Sequence, residues 1–201
     1  MKLIAITPET FVHAEVDLIH QLFRVGLKYL HIRKPAANED TVRRFITSID
    51  PSFRKRIIVH RHIRLYEEMA LGGIHVGIEQ FRSLPQGNFA AICSTSTHHI
   101  EAFKQLDRPS AHIFISPVYN SISKIGYHAN PDLLAAGAVK RKGKLIALGG
   151  ICCENILEIK RKGFDGAAIL GYLWNRGAPL DQFNNIQKTL YTGHGVQIKK
   201  N

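Results

Sequence analysis

Cysteine is scarce: Cys93, Cys152 and Cys153 are the three in 201 residues. That count excludes a disulfide framework, and the adjacent pair lacks the C-x-x-C spacing of a zinc site. No apolar run approaches the ~20 residues that a membrane-spanning helix needs. The opening Met1–Thr7 is too short and too strand-like for a cleaved signal peptide, so a cytoplasmic protein with no membrane partner is expected. Acidic residues are few, 16 against 27 lysines and arginines, which leaves a formal charge of +11. The basic residues are nevertheless spread along the chain, and no nucleic-acid-binding motif accompanies them. Small anionic substrates, not nucleic acid, are the expected partners. No segment is depleted of apolar residues, and 45% hydrophobic content in 201 residues suits one domain with a full core.

Two stretches organise the rest. Lys144-Leu-Ile-Ala-Leu-Gly149-Gly150-Ile151 and Asp165-Gly-Ala-Ala-Ile-Leu170-Gly171 are apolar runs of strand length that end in glycine, with a helical pattern at Cys153–Lys162 between them. Buried parallel strands read as continuous hydrophobic runs, and glycine beyond the strand lets backbone N–H groups approach a ligand. These turns are expected to cradle a phosphate; the same glycines also suit tight strand-to-helix turns that hold no ligand.

The alternation extends over the whole chain. Strands are expected at Lys2–Thr7, Tyr29–Arg33, Arg56–His60, Gly73–Val76, Phe89–Ser94 and Ala111–Ser116, ahead of the two glycine-terminated runs. Helical spacing appears at Val16–Gly26, after Asn38, over Ile63–Leu71, Phe81–Leu84, His98–Gln105, Pro131–Val139 and Pro179–Leu190. Eight strands alternating with eight helical segments predict an α/β fold, a single (β/α)8 TIM barrel over residues 1–190 followed by a tail, 191–201. An open doubly wound sheet is the alternative.

In a barrel, the C-terminal ends of the strands converge on one mouth. Those ends carry His31, Arg33 and Lys34; His60, Arg61 and His62; His75 and Gly77; Ser94, Ser96 and His98; Ser116; and the glycine turns. Cations, imidazoles and hydroxyls together predict an anion-binding mouth. The loop Asn120–Gly126 adds Ser121, Ser123, Lys124 and a glycine, the makings of a closing lid. His31, His60 or His75 could each serve as a general base, or as a hydrogen-bonded rim residue.

The residues at these ends resemble the thiamine-phosphate synthase/TenI family over essentially all of 1–190. Ser94-Thr-Ser96-Thr-His98 resembles that family's G-x-S-x-H, and Ser116-Pro117-Val-Tyr-Asn-Ser121-Ile-Ser123-Lys124 resembles G-P-V-F-x-T-x-T-K. Ala147-Leu-Gly149-Gly150-Ile151 with Asn155 resembles A-I-G-G-I…N, and Gly73-Ile-His75-Val-Gly77 resembles G-V-H-L-G. The resemblance implies a transferase of thiamine biosynthesis that joins hydroxymethylpyrimidine diphosphate to thiazole phosphate and releases pyrophosphate. Arg33 and Lys124, by position in the family, and His31, as a titratable base in place of the family's glutamine, are the expected catalytic residues. His60, Arg61, Ser96, Ser121 and Ser123 would join Arg33 and Lys124 around the diphosphate and pyrimidine. Gly149, Gly150, Leu170 and Gly171 would hold the thiazole phosphate. A homodimer is compatible with it.

The departures are specific. The family's Q-L-R-E-K is His31-Ile-Arg33-Lys34-Pro35 here, and its N-D-R is His60-Arg61-His62. The resemblance implies Mg2+, but Arg61 stands where one ligand aspartate would be, and guanidinium has no acceptor. Gln80 stands at the other, a neutral and poorer ligand. Direct neutralisation of the diphosphate by Arg61, His60 and Lys34 is the expected substitute. His31-Ile-Arg33-Lys34 also resembles the H-I-R-E of TenI-like thiazole tautomerases, the alternative activity, although Pro117 occupies the position of that branch's catalytic histidine. A non-catalytic binder of thiazole phosphate and an unrelated phosphosugar isomerase-type barrel are the remaining alternatives.

Overall fold

The computed structural model describes residues 1–84, 92–109, 111–120 and 128–193. Eight parallel strands close into a barrel in chain order: β1 (Lys2–Ile6), β2 (Tyr29–Ile32), β3 (Ile57–His60), β4 (Gly73–His75), β5 (Ile92–Thr97), β6 (Ala111–Ile115), β7 (Lys144–Leu148) and β8 (Gly166–Ile169). The ring shuts where β1 pairs with β8, Leu3 opposite Ala167 and Ala5 opposite Ile169. The open sheet is thereby excluded.

The strand period of two sorts each strand between two cores. On β1, Leu3 and Ala5 pack outward beneath the helices, whereas Ile4 and Ile6 meet Phe114, Ile146 and Ala168 inside the barrel. On β2 the same parity sends Leu30 and Ile32 outward into the helix layer and His31 inward against Phe114. The outer layer holds most of the apolar burial, including Leu22, Ile46, Phe81, Phe103, Ile159 and Phe183.

The helices begin and end where local chemistry dictates. Asn38 accepts from the backbone N–H of Thr41 at 2.9 Å and caps α2 (Glu39–Thr47), whose first turn carries Glu39 and Asp40 against the helix dipole. α1 (Glu15–Arg24) buries Ile19, Leu22 and Phe23. Short helices α3 (Ile63–Glu68), α4 (Ile78–Ser83), α5 (Ile100–Leu106) and α6 (Ile156–Arg161) follow β3, β4, β5 and β7. β8 leads into a single turn, α7 (Gly171–Asn175), and then α8 (Pro179–Thr192), which ends at Gly193 with φ 69°. The last helix thus runs two residues past the expected end of the barrel at 190. The tail from residue 194 lies outside the described residues.

Several elements differ from the sequence expectation. Pro131–Ala138 is a 3-10 helix, not an α-helix. Gly137 within it sits against the next connection so closely that a Cβ there would lie 2.1 Å from the Lys162 carbonyl oxygen. Strand β5 extends to Thr97, because Ser96 and Thr97 pair with Phe114 and Ile115; a hydroxyl-rich run reads as loop, but the ladder carries it. The α7 turn and the 3-10 helix at Pro51–Arg56 were not expected. Among the described residues no helix is long and apolar enough to cross a membrane.

Candidate active site

The C-terminal ends of β2 to β5 place their inward side chains around a cavity of about 270 Å³, lined by His31, Arg33, His60, Arg61, His75 and Ser96 with the apolar walls Ile6, Phe114 and Leu148. A larger hollow of about 880 Å³ opens at the opposite end, among Lys2, Lys55, His112 and Lys144. In parallel barrels reacting groups come from the ends where the smaller cavity lies, and the other face serves stability.

The floor is a cluster of imidazoles. His31 Nδ1 and His60 Nε2 share a hydrogen at 3.1 Å, and the His60 and His75 rings stack with centroids 4.2 Å apart and planes 16° apart. The Ser94 hydroxyl donates to the Ile74 carbonyl at 3.0 Å, which leaves its oxygen to accept from His75 Nδ1, also at 3.0 Å. His75 Nε2 is then the acceptor for the Ser96 hydroxyl at 3.1 Å. Burial disfavours the charged form of all three rings. It holds His31 and His60 well below the ordinary histidine range, helped by their neighbouring imidazoles, and pushes His75 down to about 3, with Arg33 adding to the effect. His60 is therefore a neutral hydrogen-bonding group and not the diphosphate-neutralising cation that the sequence suggested.

The positive charge lies at the rim. Arg33 is anchored by its backbone, whose N–H donates to Thr7 Oγ1 at 2.9 Å, and its guanidinium pairs with Glu9 at the exposed edge. Arg61 occupies a left-handed backbone conformation, φ 70°, in the turn after β3, with its N–H donating to the His75 carbonyl at 3.2 Å. Such a φ is unusual for a side chain of this size. Lys34 is not part of the mouth. Strand alternation turns it outward, where Nζ meets both Glu15 oxygens at 2.7 and 2.8 Å with side-chain exposures of 0% and 2%. It cannot contribute to charge neutralisation in the cavity, contrary to the sequence expectation. Burial lowers its pKa, partly offset by Glu15.

On the far side of the mouth, Gly149 (φ 98°) and Gly150 (φ 63°) lie against the loop after β6. A Cβ on Gly149 would sit 2.8 Å from Pro117, and one on Gly150 2.3 Å from the Asn120 carbonyl oxygen. Close packing against a neighbouring loop is thus sufficient reason for both glycines. Asn155 fixes the turn by donating to the Gly150 carbonyl at 2.8 Å and accepting from Cys152 N–H at 3.0 Å. In register with β7, β8 delivers Leu170 and Gly171 to the same level, where α7 starts. Gln80 is exposed on α4 and lines no part of the cavity. The cavity lining carries no carboxylate, so the described residues do not offer the oxygen shell a hard cation requires. Ser121, Ser123 and Lys124 lie outside the described residues.

The structure therefore brings together His31, Arg33, His60, Arg61 and Ser96, together with His75, which the sequence offered only as a possible general base and not as a substrate contact. The walls Phe114 and Leu148 carried no signal beyond their strand parity.

Residues 3–173 match the family described as thiamine monophosphate synthase. The thiamine-phosphate synthase of Nitrosospira multiformis is 26% identical over 183 residues, 86% of this chain and 78% of that protein. The crystal structure of thiamine phosphate pyrophosphorylase from Bacteroides thetaiotaomicron is 32% identical, covers 96% of this chain and 100% of its own, and superposes with a TM-score of 0.76. The thiamine phosphate pyrophosphorylase from Pyrococcus furiosus, 16% identical with 95% of this chain and 96% of its own covered, shares the fold with a TM-score of 0.75.

Proposed function

Because the chain belongs to the thiamine monophosphate synthase family, we propose that it is a transferase of thiamine biosynthesis, joining hydroxymethylpyrimidine diphosphate to thiazole phosphate. The observation that carries this reading is the convergence of Arg33 and Arg61 on one cavity at the strand ends of a barrel that matches the family over residues 3–173.

In such a reaction the C–O bond to the diphosphate breaks, the pyrimidine cation is captured by the thiazole nitrogen, and pyrophosphate leaves. The leaving group gains charge as the bond opens, so fixed cations aimed at it lower the barrier. Arg33 and Arg61 supply that charge in this reading, and Ser96 donates a hydroxyl. Lys124, Ser121 and Ser123 would complete the diphosphate site from the loop after β6. His31 and His60, both neutral, would face the uncharged pyrimidine, with His31 taking the place of the family's glutamine. The turns Gly149-Gly150 and Leu170-Gly171 would hold the thiazole phosphate, since loops after the last two strands of a barrel and a short helix there commonly bind phosphate.

The donor set does not fit Mg2+ held in the family's manner: Arg61 has no acceptor and Gln80 lies away from the cavity. No step of this reading runs through that ion. The test is an end-point assay with both substrates, with and without added Mg2+, scoring thiamine phosphate. Product formed without the ion supports the arginine mechanism; product formed only with Mg2+ overturns that mechanism while keeping the transferase. No product under either condition overturns the transferase reading.

A further inference from the structure

We propose that His31, His60 and His75 form a binding site for a divalent transition-metal ion of the zinc class, held by imidazole nitrogens at the floor of the barrel mouth. The three residues come from consecutive strands, β2, β3 and β4, and each offers a ring nitrogen such that all three lie within 4.8 Å of one another. His31 Nδ1 and His60 Nε2 are already 3.1 Å apart. Two nitrogens bound at 2.0–2.1 Å to a tetrahedral zinc ion are separated by about 3.3 Å, so this pair needs almost no adjustment.

The third ligand is prepared by its neighbours. Ser94 spends its proton on the Ile74 carbonyl and so accepts from His75 Nδ1, which fixes the tautomer and leaves the Nε2 lone pair on the Ser96 side of the ring. A metal-ligating histidine typically has such a partner on its other nitrogen. The stacked planes of His60 and His75 point their nitrogens side by side, so ion binding requires the His75 ring to swing toward the His31–His60 pair and release Ser96.

His31 is fully buried, and coordination through Nδ1 would replace the hydrogen it now shares with His60. The donor type selects the ion: imidazole suits zinc, cobalt, nickel and copper, whereas magnesium takes oxygen. With three protein ligands the fourth position is open, and it faces the cavity that Arg33 and Arg61 flank, where a phosphate oxygen can complete the shell. The ion site stands on the imidazole geometry and does not depend on the transferase reading.

The test uses the full-length, untagged protein, stripped with a chelator and titrated calorimetrically with Zn2+, and separately with Co2+ followed by visible absorption. One equivalent of each, retained in excess Mg2+, is expected, together with the absorption of a four-coordinate Co2+ centre. His60→Gln and His75→Gln should each weaken binding by more than the roughly 10–100-fold that loss of an outer partner costs. His99→Gln, which breaks up the exposed neighbouring pair His98-His99, should leave it unchanged. If either cluster variant fails to fold, histidine ring NMR of the wild type decides, because Zn2+ must shift the three clustered rings together. Absence of stoichiometric uptake, or uptake abolished by His99→Gln and untouched by the cluster variants, overturns the site. Substrates are absent throughout, so failure here is distinct from failure of the transferase assay.

Discussion

The Lys34 ammonium lies 2.7 and 2.8 Å from the two carboxylate oxygens of Glu15, and neither side chain reaches solvent. The same nitrogen donates to the Thr10 carbonyl at 2.8 Å and sits 4.6 Å from the centre of the Phe11 ring. The pair pins the β1–α1 connection to the end of β2 from outside the barrel. Removing one partner leaves an uncompensated buried charge, which costs about 3–5 kcal/mol, whereas replacing both with apolar residues is often near neutral. Lys34→Met is therefore expected to destabilise strongly, and Lys34→Met with Glu15→Leu far less, by urea unfolding. Neither should change pyrophosphate affinity, because the pair does not face the cavity.

Arg61 combines a useful charge with an unfavourable backbone. Arg61→Gly removes the guanidinium but eases the φ of 70°. We expect stability unchanged or higher by up to about 1 kcal/mol, with turnover reduced at least about tenfold through loss of charge at the leaving group. Opposite movement of the two quantities separates a functional Arg61 from a structural one; a parallel fall in both would remove it from the site.

Glu9 competes for Arg33. Their ion pair is at the exposed edge, with side-chain exposures of 31% and 46%, so it adds little to stability. Glu9→Gln should leave the unfolding midpoint within experimental scatter and tighten pyrophosphate inhibition by about two- to fivefold, consistent with an exposed pair worth up to about 1 kcal/mol. Weaker inhibition would mean that Glu9 orients Arg33 and does not restrain it.

The pH dependence follows from the buried rings. His75 has its pKa lowered from 6.5 to about 3 in the folded protein. The unfolded chain therefore binds a proton that the folded one refuses, and stability present above pH 6.5 is lost as the pH falls toward 3. At pH 5 this one residue accounts for about 2 kcal/mol. His31 and His60 shift in the same direction. A steep fall in melting temperature between pH 7 and 5 is expected, and it should be shallower in His75→Gln.

The glycine turns allow a graded comparison. Gly150→Ala places a methyl 2.3 Å from a carbonyl oxygen at φ 63°, while Gly77→Ala meets nothing within 4 Å and has no positive φ. The first should cost more than about 2 kcal/mol, in the range of strained and overpacked positions; the second should be within about 0.5 kcal/mol of wild type. Both are measured by chemical denaturation.

The barrel was legible because glycine and proline, as at Gly26, Pro35, Pro51 and Gly149-Gly150, punctuate the apolar runs, and each run is long enough for one strand. Its details were less so. The α7 turn follows directly on a strand-ending glycine, where no helical period has room to appear. Lys34 was read into the mouth as a strand-end cation, yet strand parity alone sends Arg33 inward and Lys34 outward. The histidines were visible as strand-end residues, but their mutual packing and neutrality come from three strands, β2, β3 and β4, meeting in three dimensions. The charge on Arg61 is evident in the sequence; its left-handed backbone is a property of the turn that holds it.

The seam between β1 and β8 has a consequence for the life of the chain. Trp174, the sole tryptophan, donates its indole N–H to the Ile6 carbonyl at 2.8 Å, across 168 positions of sequence. Gln187 makes a comparable reach to the Val25 carbonyl at 2.9 Å. A nascent chain that has not yet reached β8 has two raw strand edges and an unsealed cylinder, and such edges invite pairing with other chains. The indole is thus a built-in reporter of closure: its fluorescence follows the moment at which the beginning and the end of the polypeptide first recognise each other.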